Sequence, residues 1–141
     1  MMQDPPRFVL DACALIAYLN DEEGAEQVQM RLSEAVEQRA FILMSAVNFC
    51  EVYYDCLRAK GEQEASRLFE QVQKLPIDIL REIDDPLLKE AGRMKVQGKI
   101  SLADAFALAT AKLMDATMMS SDHHEFDVIE EKGGVEIEWI R

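Results

Sequence analysis

Short β-rich runs alternate with longer helix-patterned runs along this chain, and that alternation sets the class of fold open to it. Residues 7–10, 41–44, 77–80, 117–119 and 135–140 read as strands. Between them, residues 12–19, 23–38, 46–59, 62–73, 86–97 and 102–114 carry helical periodicity, with a last turn or two near 124–131. Gly61, Pro76, Gly98 and the Gly133-Gly134 pair mark breaks. Parallel strands need helical crossovers, so the pattern predicts an α/β fold with a central, mainly parallel sheet of four to five strands flanked by helices. The final strand, coupled closely through Gly133-Gly134, is expected at an edge. No repeat or low-complexity linker divides the 141 residues, which predicts a single domain over 1–141 with a sizeable core.

Four carboxylates interrupt this apolar pattern. Asp11 lies between Phe8-Val9-Leu10 and Ala12-Cys13-Ala14-Leu15-Ile16, Glu51 follows Val47-Asn48-Phe49-Cys50, Asp104 sits within Leu102-Ala103-Asp104-Ala105-Phe106, and Asp122 follows the fourth strand. An ionised carboxylate is costly to bury unless it is hydrogen-bonded, paired or bound to a metal. Taken singly, each has a structural explanation. Asp11 and Asp122 can cap helices, Ser101 and Asp104 fit a capping box, and Glu51 shares a polar stripe with Asn48, Asp55 and Arg58. Taken together they do something capping does not require. In a parallel α/β sheet the strand C-termini and helix N-termini share one rim, and all four acids map to it, Glu51 by the backward tilt of helical side chains. A shared cation explains the set.

Composition narrows the chemistry. The net charge is −12, from 15 Lys plus Arg against 27 Asp plus Glu, which argues against nonspecific binding to nucleic acid or anionic lipid. The acids concentrate at residues 21–37 and 122–138, whereas Lys89, Arg93, Lys95 and Lys99 form a basic stretch ahead of Asp104, along which a polyanion can approach. Cys13, Cys50 and Cys56 lack metal or disulfide spacing and read as core-packing thiols in a reducing cytoplasm. The start lacks a secretory pattern, and the longest apolar run, 12–19, is too short to span a bilayer. His123 and His124 read as a polar loop and not as zinc ligands, and Asp127 is a candidate fifth acid. Phosphate-loop, dinucleotide and nucleophile-elbow motifs are missing.

The segments Phe-Val-Leu-Asp11-Ala-Cys-Ala-Leu-Ile-Ala, Ser45-Ala-Val-Asn-Phe-Cys-Glu51-Val, Ser101-Leu-Ala-Asp104-Ala-Phe-Ala-Leu-Ala and Ser120-Ser-Asp122-His-His-Glu-Phe, in this order, resemble the PIN-domain family, and especially the toxins of VapBC-type toxin–antitoxin pairs. The resemblance covers nearly the whole chain. It implies a PIN-like three-layer fold and a metal-dependent ribonuclease that hydrolyses RNA phosphodiester bonds. Asp11, Glu51, Asp104 and Asp122 would be its catalytic and metal-binding residues, with Ser120 supporting them from behind. Asp11 and Asp104 would hold the principal ion, Glu51 its water, and Asp122 would join with substrate and a second ion. An all-oxygen set suits Mg²⁺ or Mn²⁺. The resemblance further implies an antitoxin whose basic segment reaches the acid rim, and a homodimer. One departure is plain: where many members carry Ser or Thr just after the first Asp, this chain has Ala12-Cys13. The competing expectation is a nonenzymatic, degenerate PIN-like module whose rim acids only cap helices or hold a basic protein partner.

Overall fold

The computed structural model describes residues 4–131 and 134–141. Strands β1 (Arg7–Leu10), β2 (Phe41–Ser45), β3 (Asp78–Leu80), β4 (Thr117–Ser120) and β5 (Ile137–Trp139) form one sheet in the order β3-β2-β1-β4-β5. Every neighbouring pair is parallel. Around it lie α1 (Ala12–Leu19), α2 (Ala25–Val36), α3 (Ala46–Lys60), α4 (Glu62–Gln73), α5 (Asp85–Gln97), α6 (Leu102–Leu113) and α7 (His123–Glu131). The chain first builds outward from β1 to β2 and β3, then returns to the other side of β1 for β4 and β5. The order therefore reverses between β1 and β4, and in open α/β sheets ligands bind at such a point, in the crevice beyond the strand C-termini.

Alternation along the strands fills both faces. Phe8 and Leu10 of β1, Ile42 and Met44 of β2, and Met119 of β4 enter one core with α1, α2 and α3. Val9, Leu43 and Met118 enter the other, with Met94 of α5, Leu108 of α6 and Phe126 of α7. Full burial of each such side chain contributes about 1.5–3 kcal/mol. Because both faces are covered, the strands read as continuous apolar runs.

Several expected boundaries shift for identifiable reasons. α2 begins at Ala25 and not at residue 23, because Gly24 adopts φ 100° at its N-terminus. A Cβ at Gly24 would lie 2.9 Å from the Ile140 side chain and from its carbonyl oxygen, so glycine is required there on two grounds. The last helix is longer than the expected turn or two: α7 starts at His123, and His123 and His124 are its first residues rather than a loop. It serves as the crossover that makes β5 parallel to β4 at the sheet edge. β5 itself is shorter than residues 135–140, and Gly133 lies outside the described residues. The cysteines are not core residues. Cys50 is exposed, and Cys13 and Cys56 are half-buried. Among the described residues no helix is long and apolar enough to cross a membrane.

Candidate metal centre

Asp11 is the best-buried acid of the rim, with 1% of its surface exposed. It leaves β1 and caps α1, its Oδ1 accepting from the Ala14 N–H at 2.8 Å. Its Oδ2 accepts from the hydroxyl of Ser120, a fully buried residue at the end of β4. The Ser120 Oγ in turn accepts from the Asp122 N–H at 3.0 Å. One hydroxyl thus ties the two strands together at the reversal point. Burial drives the Asp11 carboxyl up to about 7 against the opposing bonds from Ser120 and Ala14, and Asp104 and Asp122 raise it further.

Asp104 lies in the first turn of α6, whose N-cap Ser101 accepts from the Asp104 N–H at 3.1 Å. Burial, with added repulsion from Asp122, Glu125 and Glu51 and opposed by Ser101, lifts its carboxyl to about 6. Glu51, on α3, is also raised, first by burial and then by Asp55 and Asp122. Cys13 borders the same acids. Burial and the fields of Asp11, Asp122, Asp104 and Glu51 push its thiol up to about 12, so in the metal-free protein it stays protonated.

Asp122 caps α7, its Oδ1 accepting from the Glu125 N–H at 3.2 Å. That cap turns the chain so that Glu125 comes back toward the crevice. Carboxylate oxygens of Asp104, Asp122 and Glu125 lie within 4.8 Å of one another. Glu125 Oε2 is buried without a hydrogen-bond partner. Sequence reasoning passed over Glu125, although Asp122-His-His-Glu125 has the spacing of a capping box, a helix-start signal that places its acid one turn from the cap. Asp127, the candidate fifth acid, is instead engaged by His123 Nδ1 at 3.0 Å. The other ring nitrogen of His123 meets the Arg141 carbonyl at 2.9 Å, and its ring stacks on Trp139 with centroids 3.7 Å apart.

The basic stretch is partly spent inside the fold. Arg93 pairs with Glu90 at 2.9 Å, and Lys95 donates to the Ile100 carbonyl at 2.6 Å, which bridges the end of α5 to the loop before α6. None of the ion pairs among the described residues involves Asp11, Glu51, Asp104, Asp122 or Glu125. Repulsion from neighbouring acids adds to the raised proton affinity of Asp11, Glu51 and Asp104, and among the described residues no cationic side chain pairs with the cluster. A divalent cation fits that donor set, which is all oxygen, convergent and partly desolvated.

The sequence profile of the PIN domain matches residues 8–132. The chain belongs to the PIN-domain family. Among solved structures, this PIN domain resembles DNA-bound VapBC from Salmonella typhimurium at 15% identity and TM-score 0.73, over 96% of this chain and 99% of that one. It is similar to VapBC-1 from nontypeable Haemophilus influenzae at 16% identity and TM-score 0.71, covering 95% and 98% of the two chains. It also resembles Mycobacterium tuberculosis VapC20, a Sarcin-Ricin loop cleaving toxin, at 14% identity and TM-score 0.63, covering 91% and 95%. No curated protein matches the sequence significantly. The PIN-like α/β fold expected from the sequence is thereby borne out, with five strands and every strand pair parallel.

Proposed function

We propose that this PIN domain is a metal-dependent endoribonuclease and the toxin of a VapBC-type pair. The observation that carries the reading is the convergence of Asp104, Asp122 and Glu125, the last with a buried, unpartnered Oε2, beside Asp11 and Glu51 and with no ion pair to any of the five among the described residues. Asp11, Asp104, Asp122 and Glu125 would hold Mg²⁺ or Mn²⁺, and Glu51 would orient water. When bound, such an ion lowers the pKa of water and neutralises a phosphoryl oxygen. The protein's part is to keep the donors in place. Ser120 holds Asp11 and the Asp122 backbone together, so the β1 and β4 contributions to the crevice move as a unit. Glu51, raised in proton affinity and partly exposed, is suited to take a proton from the attacking water onto a carboxylate oxygen.

RNA is the proposed substrate and the cytoplasm the proposed compartment. The VapBC relatives are toxin–antitoxin complexes, which supports an antitoxin partner here, and the acid crevice suits a basic segment of that partner. Leu88 and Val96 of α5 and Leu102 of α6 are exposed apolar side chains that the proposed homodimer could cover. The deciding experiment is RNA cleavage with Mn²⁺ or Mg²⁺, compared with EDTA and with Asp104→Asn and Glu125→Gln. The wild type should cut only with metal, and each variant should lose at least tenfold. Wild-type inertness across structured and unstructured RNAs would leave the nonenzymatic module as the better account.

A further inference from the structure

We propose that Asn48 is a positioning residue of the metal centre: by donating from its side-chain amide to the Ala103 carbonyl at 3.0 Å, it fixes the peptide from which Asp104 projects. The proposal rests on the reading of Asp104 as a metal ligand.

Asn48 lies in the first turn of α3 and is wholly buried. Its Nδ2 bridges to α6, but its Oδ1 is buried with no hydrogen-bond partner. An unpaired buried acceptor disfavours the folded state, and an apolar side chain of similar volume would avoid that penalty. Packing alone therefore does not account for an amide here. The peptide it grips is informative. Ala103 and Asp104 share one peptide unit, whose carbonyl is held by Asn48 and whose N–H is held by the Ser101 Oγ at 3.1 Å. A helix carbonyl has a second lone pair, so the Asn48 bond adds to the helix ladder without replacing it. With both ends held, the direction in which Asp104 leaves α6 is set.

The same residue controls the other side of the crevice. Glu51 follows Asn48 by three residues, so the two share a face of α3. Asn48 therefore ties the helix bearing Glu51 to the turn bearing Asp104. Such a tie has a task, because Asp122, Glu125 and Glu51 all repel an ionised Asp104. Without the tie, repulsion would swing the α6 N-terminus outward and widen the donor set before a cation arrives.

The test compares wild type with Asn48→Leu, and with Asn48→Ala in case leucine does not fit. Mn²⁺ affinity is measured by titration calorimetry and metal-free melting by circular dichroism in EDTA. Supporting groups behind metal ligands typically contribute 10–100-fold in affinity. Asn48→Leu should bind Mn²⁺ at least tenfold more weakly while its metal-free melting temperature is unchanged or higher. Wild-type affinity in the variant would overturn the proposal. So would a melting temperature that falls in step with affinity, or failure of both variants to fold, since Asn48 would then serve only the fold. If wild type itself binds no Mn²⁺, the reading of Asp104 as a ligand falls, and the proposal with it.

Discussion

On the proposed reading, a proton and the metal ion would compete for Asp11. In the unfolded chain its carboxyl has the ordinary value of 3.8, whereas in the fold burial carries it to about 7. A group that binds its proton more tightly when folded adds stability that is fully present below about pH 4 and is lost as pH rises through about 7. Asp104, lifted to about 6, acts in the same direction. In EDTA the protein should therefore melt lower at pH 8 than at pH 5.5, and Asp11→Asn should shrink that difference. Scanning fluorimetry at both pH values checks this, and an unchanged difference in the variant would assign the trend to net charge instead. Saturating Mn²⁺ should restore the melting temperature at pH 8, because it binds the folded, deprotonated acids. The same competition should weaken Mn²⁺ binding as pH falls below 7. Glu125→Gln keeps the volume but removes a charge from the Asp104–Asp122 group, so it should bind Mn²⁺ at least tenfold more weakly.

At the scale of elements, the sequence pattern named α1 and α4 to the residue, because both have clear start signals: Asp11 caps the first, and Gly61 opens the second. It missed where α2 begins, since Gly24 is fixed by a contact with Ile140, more than a hundred residues away. No local signal carries that information. The acids divide in the same way. Asp11, Glu51 and Asp104 were legible because they sit in apolar surroundings, whereas Glu125 lies in a polar run and becomes part of the crevice only through the turn imposed by the Asp122 cap. Asp127 and Glu125 are indistinguishable by composition, and helix phase decides between them. One sends its carboxylate to the crevice and the other to His123. Gly24→Ala tests the long-range contact. Positive φ and a Cβ at 2.9 Å should together cost about 1–3 kcal/mol, read as a lowered urea midpoint. The lesion lies near the α2 N-terminus and not in the crevice, so Mn²⁺ affinity of the folded variant should hold.

For the whole molecule, the charge of −12 and the proposed RNA substrate pull against each other, and the fold locates the conflict. Two of the four basic residues ahead of Asp104 are committed within the fold, Arg93 to Glu90 and Lys95 to Ile100. Little cationic surface from that stretch is left to track a phosphate backbone. Proteins that neutralise 6–10 phosphates lose about 10³–10⁵ in affinity between 50 and 200 mM salt through counterion release. On the proposed reading, attraction would centre on the metal-loaded acids while the net charge of −12 repels RNA, so added salt would screen repulsion as well as attraction. In steady-state cleavage of a short RNA with Mn²⁺, kcat/KM should change less than about tenfold across that salt range. A steep fall would mean that a basic surface outside the crevice grips the RNA. Charge reversal of Lys89 and Lys99, the two members of the stretch whose side chains make no hydrogen bond or ion pair among the described residues, would then be expected to flatten the slope. With the slope shallow in the wild type, the same reversals should leave it unchanged, and recognition would rest on the crevice acids and the ion they hold.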